Sequence, residues 1–275
     1  MHKSGGGRIA VKLKRKKKVQ DDPFDWWAQD QVIAALGGRT GGFEIAHAGS
    51  LTTPDLVIRE RAAYAYLGLE VKKLDRKDSG SDARGLTLDY NSCLPCGTTL
   101  IKVDGAATQI PCFYLFCLLD KKQTEIATLI LMDGDFINYD FNLHKKSKVS
   151  NVSEYRHGPY GEGSVRHRAM YTYPNPLNSK LGFFHLRFVI VMMALDVKRL
   201  QLCRQVTDHI EREDVFGNKF IYEVVDFTRK PRSDVAEDDC STAADIPIHR
   251  DVFRACKVRE SKERTPAYVE VSPHG

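Results

Sequence analysis

Thr52-Thr53-Pro54-Asp55-Leu56-Val57-Ile58, followed after ten residues by Leu69-Glu70-Val71-Lys72-Lys73-Leu74, is the stretch on which the reading of this chain turns. Asp55 enters a short apolar run, Leu56 to Ile58, and Glu70 and Lys72 bracket Val71. Side chains alternate along a strand with period two, so Glu70 and Lys72 point one way while Val71 packs on the other side. Two acids and a lysine are then expected to converge at one sheet edge. Asp55 and Glu70 offer hard oxygen ligands to a divalent metal, and Lys72 stands beside an attacking water. Together these groups are a minimal apparatus for hydrolysing a phosphodiester. The bland alternative is two surface strands carrying ordinary charges.

Pro54-Asp55 and Glu70-Val71-Lys72, with 14 residues between the acids, resemble the motif of the PD-(D/E)xK nuclease superfamily, and within it the type II restriction endonucleases. The likeness runs at residue level from about Phe43 to Leu74. It implies an α/β, restriction-endonuclease-like fold, with a central mixed β-sheet flanked by helices. It further implies Mg²⁺-dependent double-strand cleavage of DNA at a short specific site, leaving 5′-phosphate ends. By the same resemblance Asp55, Glu70 and Lys72 form the catalytic set, and Asp55, Glu70 and the carbonyl of Val71 hold Mg²⁺. Family members often place a further acid ahead of the Pro-Asp motif. Asp30 and Glu44 are the candidates here, Glu44 on an expected strand from Phe43 to Ala46. The resemblance also implies a homodimer on double-stranded DNA, a cognate DNA methyltransferase as functional partner, and the cytoplasm of a bacterial or archaeal cell.

Three other readings stay open: a repair or recombination nuclease of the same fold, a non-enzymatic DNA-binding protein, and an enzyme acting on small phosphoesters. The sequence contains no Gly-x4-Gly-Lys-Ser/Thr motif, which counts against a helicase-coupled nuclease. It has no Gly-rich phosphate cradle after a strand, which counts against the small-phosphoester reading.

The chain has 275 residues, 42% hydrophobic and 28% charged, as expected of a soluble globular protein. It is read as a flexible basic arm, residues 1–20, and a single domain, residues 21–275. The longest wholly apolar runs, Cys112 to Leu119 and Phe188 to Leu195, are eight residues each, too short to cross a bilayer. No apolar segment follows the first basic residues, so a secretory signal is not expected. The seven cysteines are read as reduced thiols, which predicts an intracellular protein. Cys93-x-x-Cys96 has the spacing of a zinc knuckle, but Pro95-Cys96-Gly97 reads as a turn and the nearest other pair, Cys112 and Cys117, is looser.

The formal charge is +5, yet residues 1–20 carry eight Lys or Arg and no acid, so the remainder sums to −3. That excludes a protein basic over its whole surface, though a DNA enzyme needs only one basic face. The arm, with Arg15-Lys16-Lys17-Lys18, is suited to tracking phosphates. A plain solvated tail and a nuclear-localisation run are the other readings.

Further along, Asp22-Pro23 predicts a helix start and Phe24 to Leu36 a helix that Gly37-Gly38 stops. Strands are expected over Leu86 to Tyr90, Thr99 to Val103 and Phe220 to Phe227, and a buried hairpin from Ile110 to Leu119 and Ile126 to Met132. Asp133 to Asp140 carries three acids in a pattern that does not fit a calcium loop, and reads as a turn. Val189-Ile190-Val191 favours a strand, with a helix to follow.

A DNA-recognition insertion is expected around 144–178, where Lys145, Lys146, Arg156, Arg166 and Arg168 are interleaved with Tyr155, Tyr160, Tyr171 and Tyr173. Arginine can grip guanine bidentately, and Asn175 or Asn178 can bond to adenine. An ordinary polar excursion is the alternative. Lys73, Arg76 and Arg84, close after the motif, are the further DNA-binding candidates.

Overall fold

The computed structural model describes residues 9–13, 23–36, 42–47, 54–63, 65–74, 85–88, 99–138, 169–174, 187–213, 218–236, 248–249 and 270–271. In chain order these form β1 (Ile9–Ala10), α1 (Pro23–Ala35), β2 (Phe43–His47), β3 (Leu56–Glu60), β4 (Ala65–Leu74), β5 (Gly85–Leu88), β6 (Thr99–Val103), β7 (Ala106–Ile110), β8 (Cys112–Leu119), β9 (Glu125–Asp133), α2 (Gly134–Asn138), β10 (Ala169–Pro174), β11 (Phe188–Met193), α3 (Ala194–Arg199), β12 (Val206–Glu213), β13 (Lys219–Asp226), β14 (Ile248–His249) and β15 (Glu270–Val271).

One large sheet runs in the order β14-β12-β13-β11-β9-β8-β4-β3-β2, with β1 also paired to β9. It is mixed: β4–β8, β9–β11 and β12–β14 are parallel, and the remaining pairs antiparallel. With the helices described, the chain is α/β, built on a large mixed sheet. Two smaller sheets, β10–β5 and β15-β6-β7, accompany it.

The middle strands explain themselves. Cys-Phe-Tyr-Leu-Phe-Cys-Leu-Leu in β8 is apolar at every position because both its faces are covered. Asp120 closes the β8–β9 hairpin: its side chain accepts the backbone N–H groups of Lys122, Thr124 and Glu125, which holds its carboxyl below the ordinary range. On one face Phe24 and Ala28 of α1 pack onto Leu56, Leu69, Val71, Leu115, Cys117 and Leu129. Val197 of α3 packs with Met192, Cys203, Val206 and Val225, and Phe113 borders both clusters. On the opposite face the register carries Glu70 to Tyr114, Tyr114 to Met132, Met132 to Val191 and Val191 to Val224. Phe136 of α2 covers part of this second face, edge-on to Tyr222 with ring centres 5.3 Å apart. Among the described residues no helix is long and apolar enough to cross a membrane.

Three expectations need correction, and one strand, β12, had no expectation to meet. The basic arm is not a free tail throughout: Ile9 and Ala10 pair with Ile126 and Glu125, and Val11 is buried. Ile9, Val11 and Leu13 alternate with polar or small residues, so a two-residue period docks them on the α1 core despite the surrounding lysines. β12 was not anticipated, because Thr207-Asp208-His209-Ile210-Glu211 carries too few apolar residues to announce a strand. Cys112 and Cys117 form no disulfide, as expected of reduced thiols, but Cys203 is disulfide-bonded. The acidic turn after Asp133 is a short helix.

Candidate active site

β3 and β4 form a hairpin in which Leu56 pairs with Leu69, so Asp55, one residue before the strand, arrives opposite Glu70. The main-chain N–H of Asp55 donates to Glu70 Oε2 at 3.1 Å, and Asp55 Oδ2 accepts the N–H of Val71 at 2.7 Å. Lys72 Nζ forms an ion pair with Glu70 Oε1 on the same side of β4. The three expected residues therefore meet. Their meeting place is not the lateral edge of the sheet, since β4 lies between β3 and β8; it is the point where β3 begins, past which no described strand pairs with that flank of β4.

Parity and burial set the electrostatics. Leu69 and Val71 face α1, and Glu70 and Lys72 face the other way. The Glu70 side chain is 1% exposed and that of Lys72 20%, with Tyr114 and Phe116 as their partners on β8. A carboxylate in such a place is stable only when paired and hydrogen-bonded. Lys72 Nζ and the Asp55 N–H supply both bonds.

Gly68 positions this corner. Its N–H donates to the carbonyl of Pro111, which fixes β4 against the approach to β8. A Cβ at residue 68 would lie 2.9 Å from Pro54 Cγ and 3.1 Å from Cys112 Sγ, so buried Pro54 sits directly over bare backbone. An isolated glycine inside a strand signals such a close approach, and this is the sequence clue that a search for charged residues passes over.

The donor chemistry suits a hard divalent cation. Asp55 and Glu70 contribute carboxylate oxygens. A strand residue's N–H and C=O point to the same flank, so the Val71 carbonyl follows its N–H toward Asp55, beyond the start of β3. Two carboxylates and one carbonyl are the oxygen set that Mg²⁺ accepts, with water completing the shell. Among the described residues no cluster of three or more His, Cys, Asp or Glu side chains is arranged to hold a metal.

Other candidates fall elsewhere. Glu44 pairs in register with Arg59, four residues along β3 from Asp55, or roughly 13 Å at strand rise. Its carboxylate is engaged by Arg59 at 3.3 Å and Arg61 at 2.9 Å, so the structure does not bring it to the Asp55–Glu70 pair. Asp30 is exposed on α1, whose core residues pack on the opposite face. Lys73 is in register with Cys117, on the α1 face rather than beside Lys72. Arg76, Arg84, Lys145, Lys146, Arg156, Arg166 and Arg168 lie outside the described residues, as do Cys93 and Cys96. Of the expected recognition insertion, Ala169–Pro174 is described, as a strand paired with β5.

Two charged groups away from this corner also escaped the sequence reading. His209 Nδ1 lies 2.6 Å from Glu223 Oε2, joining β12 to β13 on the α3 side. Burial pushes the Glu223 carboxyl up, and its bond to His209 partly offsets this. At the end of β9, burial raises the Asp133 carboxyl to about 7; the Asp135 N–H bond opposes that rise, and the charges of Asp135 and Asp196 add to it. No family model matches the chain, and no curated protein or solved structure matches it.

Proposed function

We propose that the chain is a Mg²⁺-dependent endonuclease that cuts double-stranded DNA, and specifically a restriction-type enzyme with a restriction-endonuclease-like fold. The observation that carries this reading is the joining of Asp55, Glu70, Val71 and Lys72 through the Asp55–Val71 and Asp55–Glu70 hydrogen bonds and the Lys72–Glu70 ion pair. Asp55, Glu70 and the Val71 carbonyl would hold the cation, which supplies charge neutralisation for the phosphate and acidifies water.

The chain's own groups do the rest. The Val71 N–H fixes one oxygen of Asp55, leaving its partner oxygen oriented by the rigid hairpin. Lys72 carries three N–H donors on the same side as Glu70, suited to orienting a water and offsetting charge that develops on phosphate. No covalent enzyme intermediate is required. Two copies related by a two-fold axis would act on the two antiparallel strands of a duplex. A cognate DNA methyltransferase would be the companion activity in a restriction system.

The test is incubation of the purified chain with unmethylated plasmid and Mg²⁺, with chelator and Glu70→Ala controls, followed by mapping of the ends. Discrete fragments with 5′-phosphates support restriction. A ladder identifies a general nuclease of the same fold. Intact DNA that shifts on a gel identifies a non-enzymatic binder and overturns the catalytic assignment.

A further inference from the structure

We propose that the end of the large sheet at which β4 and β8 finish is a phosphate-binding rim, and that a DNA duplex lies along it from the Asp55–Glu70–Lys72 corner toward the end of β13. This rests on the nuclease reading of that corner and goes beyond it, by assigning where the backbone of the substrate runs.

Strand directions decide which side chains share this end. β4 and β8 run in parallel, and β9 returns from β8 by a tight turn, so Lys121 and Lys122 of that turn lie beyond Leu74 and Leu118. β1 runs antiparallel to β9, and the Val11 N–H donates to the Thr124 carbonyl, which delivers Lys12 to the same turn. β11 starts and β13 finishes at this end. The Thr228 hydroxyl oxygen accepts the N–H groups of Arg187 and Phe188, tying Arg187 to the segment that carries Arg229 and Lys230. All six of these basic residues are exposed. The corner opens toward the same end, because β3 begins there.

The acids of these strand ends are committed locally. Asp120 accepts the backbone N–H groups of its own turn. Buried Asp226 accepts the Thr228 N–H and lies 3.3 Å from Arg229 Nε. Asp234 is paired with Arg232, and Glu125 is half-buried. The other end of the sheet differs. Its exposed Arg61 and Lys219 are matched by Glu44 at 2.9 Å and Glu211 at 2.8 Å, and Asp135 and Asp196 stand close to Asp133. Such a field draws a polyanion to one end of the sheet. The row Lys72, Phe116, Ile130, Val189 and Asp226 is in register from β4 to β13. Four strand spacings of about 4.8 Å make that row roughly 19 Å long, about half a turn of a duplex whose repeat is roughly 34 Å. A lone phosphoester would touch only one part of it.

The experiment uses the full chain, Ca²⁺ in place of Mg²⁺, and a fluorescent duplex of about three helical turns. Affinity is read by anisotropy over a series of salt concentrations. Three double variants each remove two positive charges: Lys121→Gln with Lys122→Gln, Arg229→Gln with Lys230→Gln, and, at the other end of the sheet, Arg61→Gln with Lys219→Gln. Each rim pair is expected to weaken binding about tenfold and to flatten the salt dependence by up to about 1.8, or about 0.9 per lost phosphate contact. The pair at the other end is expected to match wild type. In parallel, wild-type chain is acetylated briefly with and without duplex and its lysines are read by mass spectrometry. Lys12, Lys121, Lys122 and Lys230 are expected to be protected severalfold, and Lys219 to be labelled as before.

Rim variants that bind as wild type does, or a loss shared equally by the pair at the other end, overturn the inference; cleavage by wild type that still requires Glu70 then leaves the nuclease reading standing. Rim-dependent duplex binding with no Mg²⁺-dependent cleavage keeps the rim as a DNA surface and overturns the nuclease reading. Rim-dependent binding to phosphatidylglycerol vesicles with no binding to duplex assigns the rim to a membrane surface and overturns both. If a rim variant does not fold, the protection of the wild-type lysines decides, since it needs no variant.

Discussion

Replacing Gly68 by alanine is the sharpest test of the corner built by β3 and β4. The added methyl meets Pro54 Cγ at 2.9 Å, Cys112 Sγ at 3.1 Å and Cys112 Cβ at 3.3 Å. Cys112 is buried and can give a little through its side chain, but the Pro54 ring is stiff and its carbonyl leads straight into Asp55. Overpacking of this kind costs about 1–3 kcal/mol. At about 2–4 °C per kcal/mol for a chain of this size, that is a melting temperature lowered by roughly 2–12 °C.

On the proposed nuclease reading, the expected functional effect is larger. Strain relieved by moving Pro54 displaces Asp55 from Val71 and Glu70, and a 1 Å misplacement can cost about 100-fold in rate. The assay is thermal unfolding and DNA cleavage on one preparation, repeated in a Cys112→Ala background. Removing the sulfur relieves the lesser clash, so the double variant should regain stability relative to the two single effects summed, yet cleavage should stay low because Pro54 still collides. A Gly68→Ala protein with wild-type melting and wild-type cleavage would falsify the account of how Pro54 and Asp55 are held.

Further outcomes follow from the same physics. On the proposed nuclease reading, Glu70→Ala should abolish cleavage while leaving much of the DNA binding, since phosphate contacts away from the metal would remain; gel shift and cleavage rate on one sample decide it, and wild-type cleavage rules Glu70 out. Changing Lys14, Arg15, Lys16, Lys17 and Lys18 to Gln should flatten the salt dependence of DNA binding, by up to about 0.9 per lost phosphate contact, without changing the melting temperature. Truncation through Leu13 should instead lower stability, because it removes buried Val11, worth about 1.5–3 kcal/mol; melting curves of the two proteins separate these effects.

Asp133, raised to about 7, keeps its proton in the folded chain while the unfolded chain loses it near the ordinary carboxyl value. Its contribution to stability is full below that ordinary value and is lost as pH rises toward about 7. Asp133→Asn should therefore raise the melting temperature at pH 8 and change it little at acid pH, and a shift of the same size at both would refute the assignment.

Much of the architecture could be read from local pattern. The helix from Pro23, the β8–β9 hairpin, the Asp104-Gly105 turn and the strand-to-helix change after Phe188 all announce themselves by periodicity or turn chemistry. Asp104 and Gly105 both have positive φ, as a tight hairpin turn demands. The Asp55–Glu70–Lys72 corner was legible because a hairpin brings its parts together from nearby positions.

What stayed hidden depends on partners distant in sequence. β12 is polar enough to pass for a loop, and its strand character comes from the ladder with β13, including His209 opposite Glu223. Glu44 looked like a free acid because nothing local shows that its cross-strand neighbour is Arg59. Ile9, Val11 and Leu13 were masked by the lysines beside them. Lys73 follows Lys72 in sequence, but a single step along a strand reverses the side on which a charge emerges.

The pairing of β1 with the start of β9 has a consequence for the order of assembly. Ile9 is made well before its partner, Ile126. During synthesis the β3–β4 hairpin can close before β9, the strand that β1 pairs with, has emerged. Long-range closures of this kind are slow relative to hairpins. The Asp55–Glu70–Lys72 corner can thus form before β1 is in place, so that slowing the docking of β1 should delay completion of the large sheet more than it disturbs the corner.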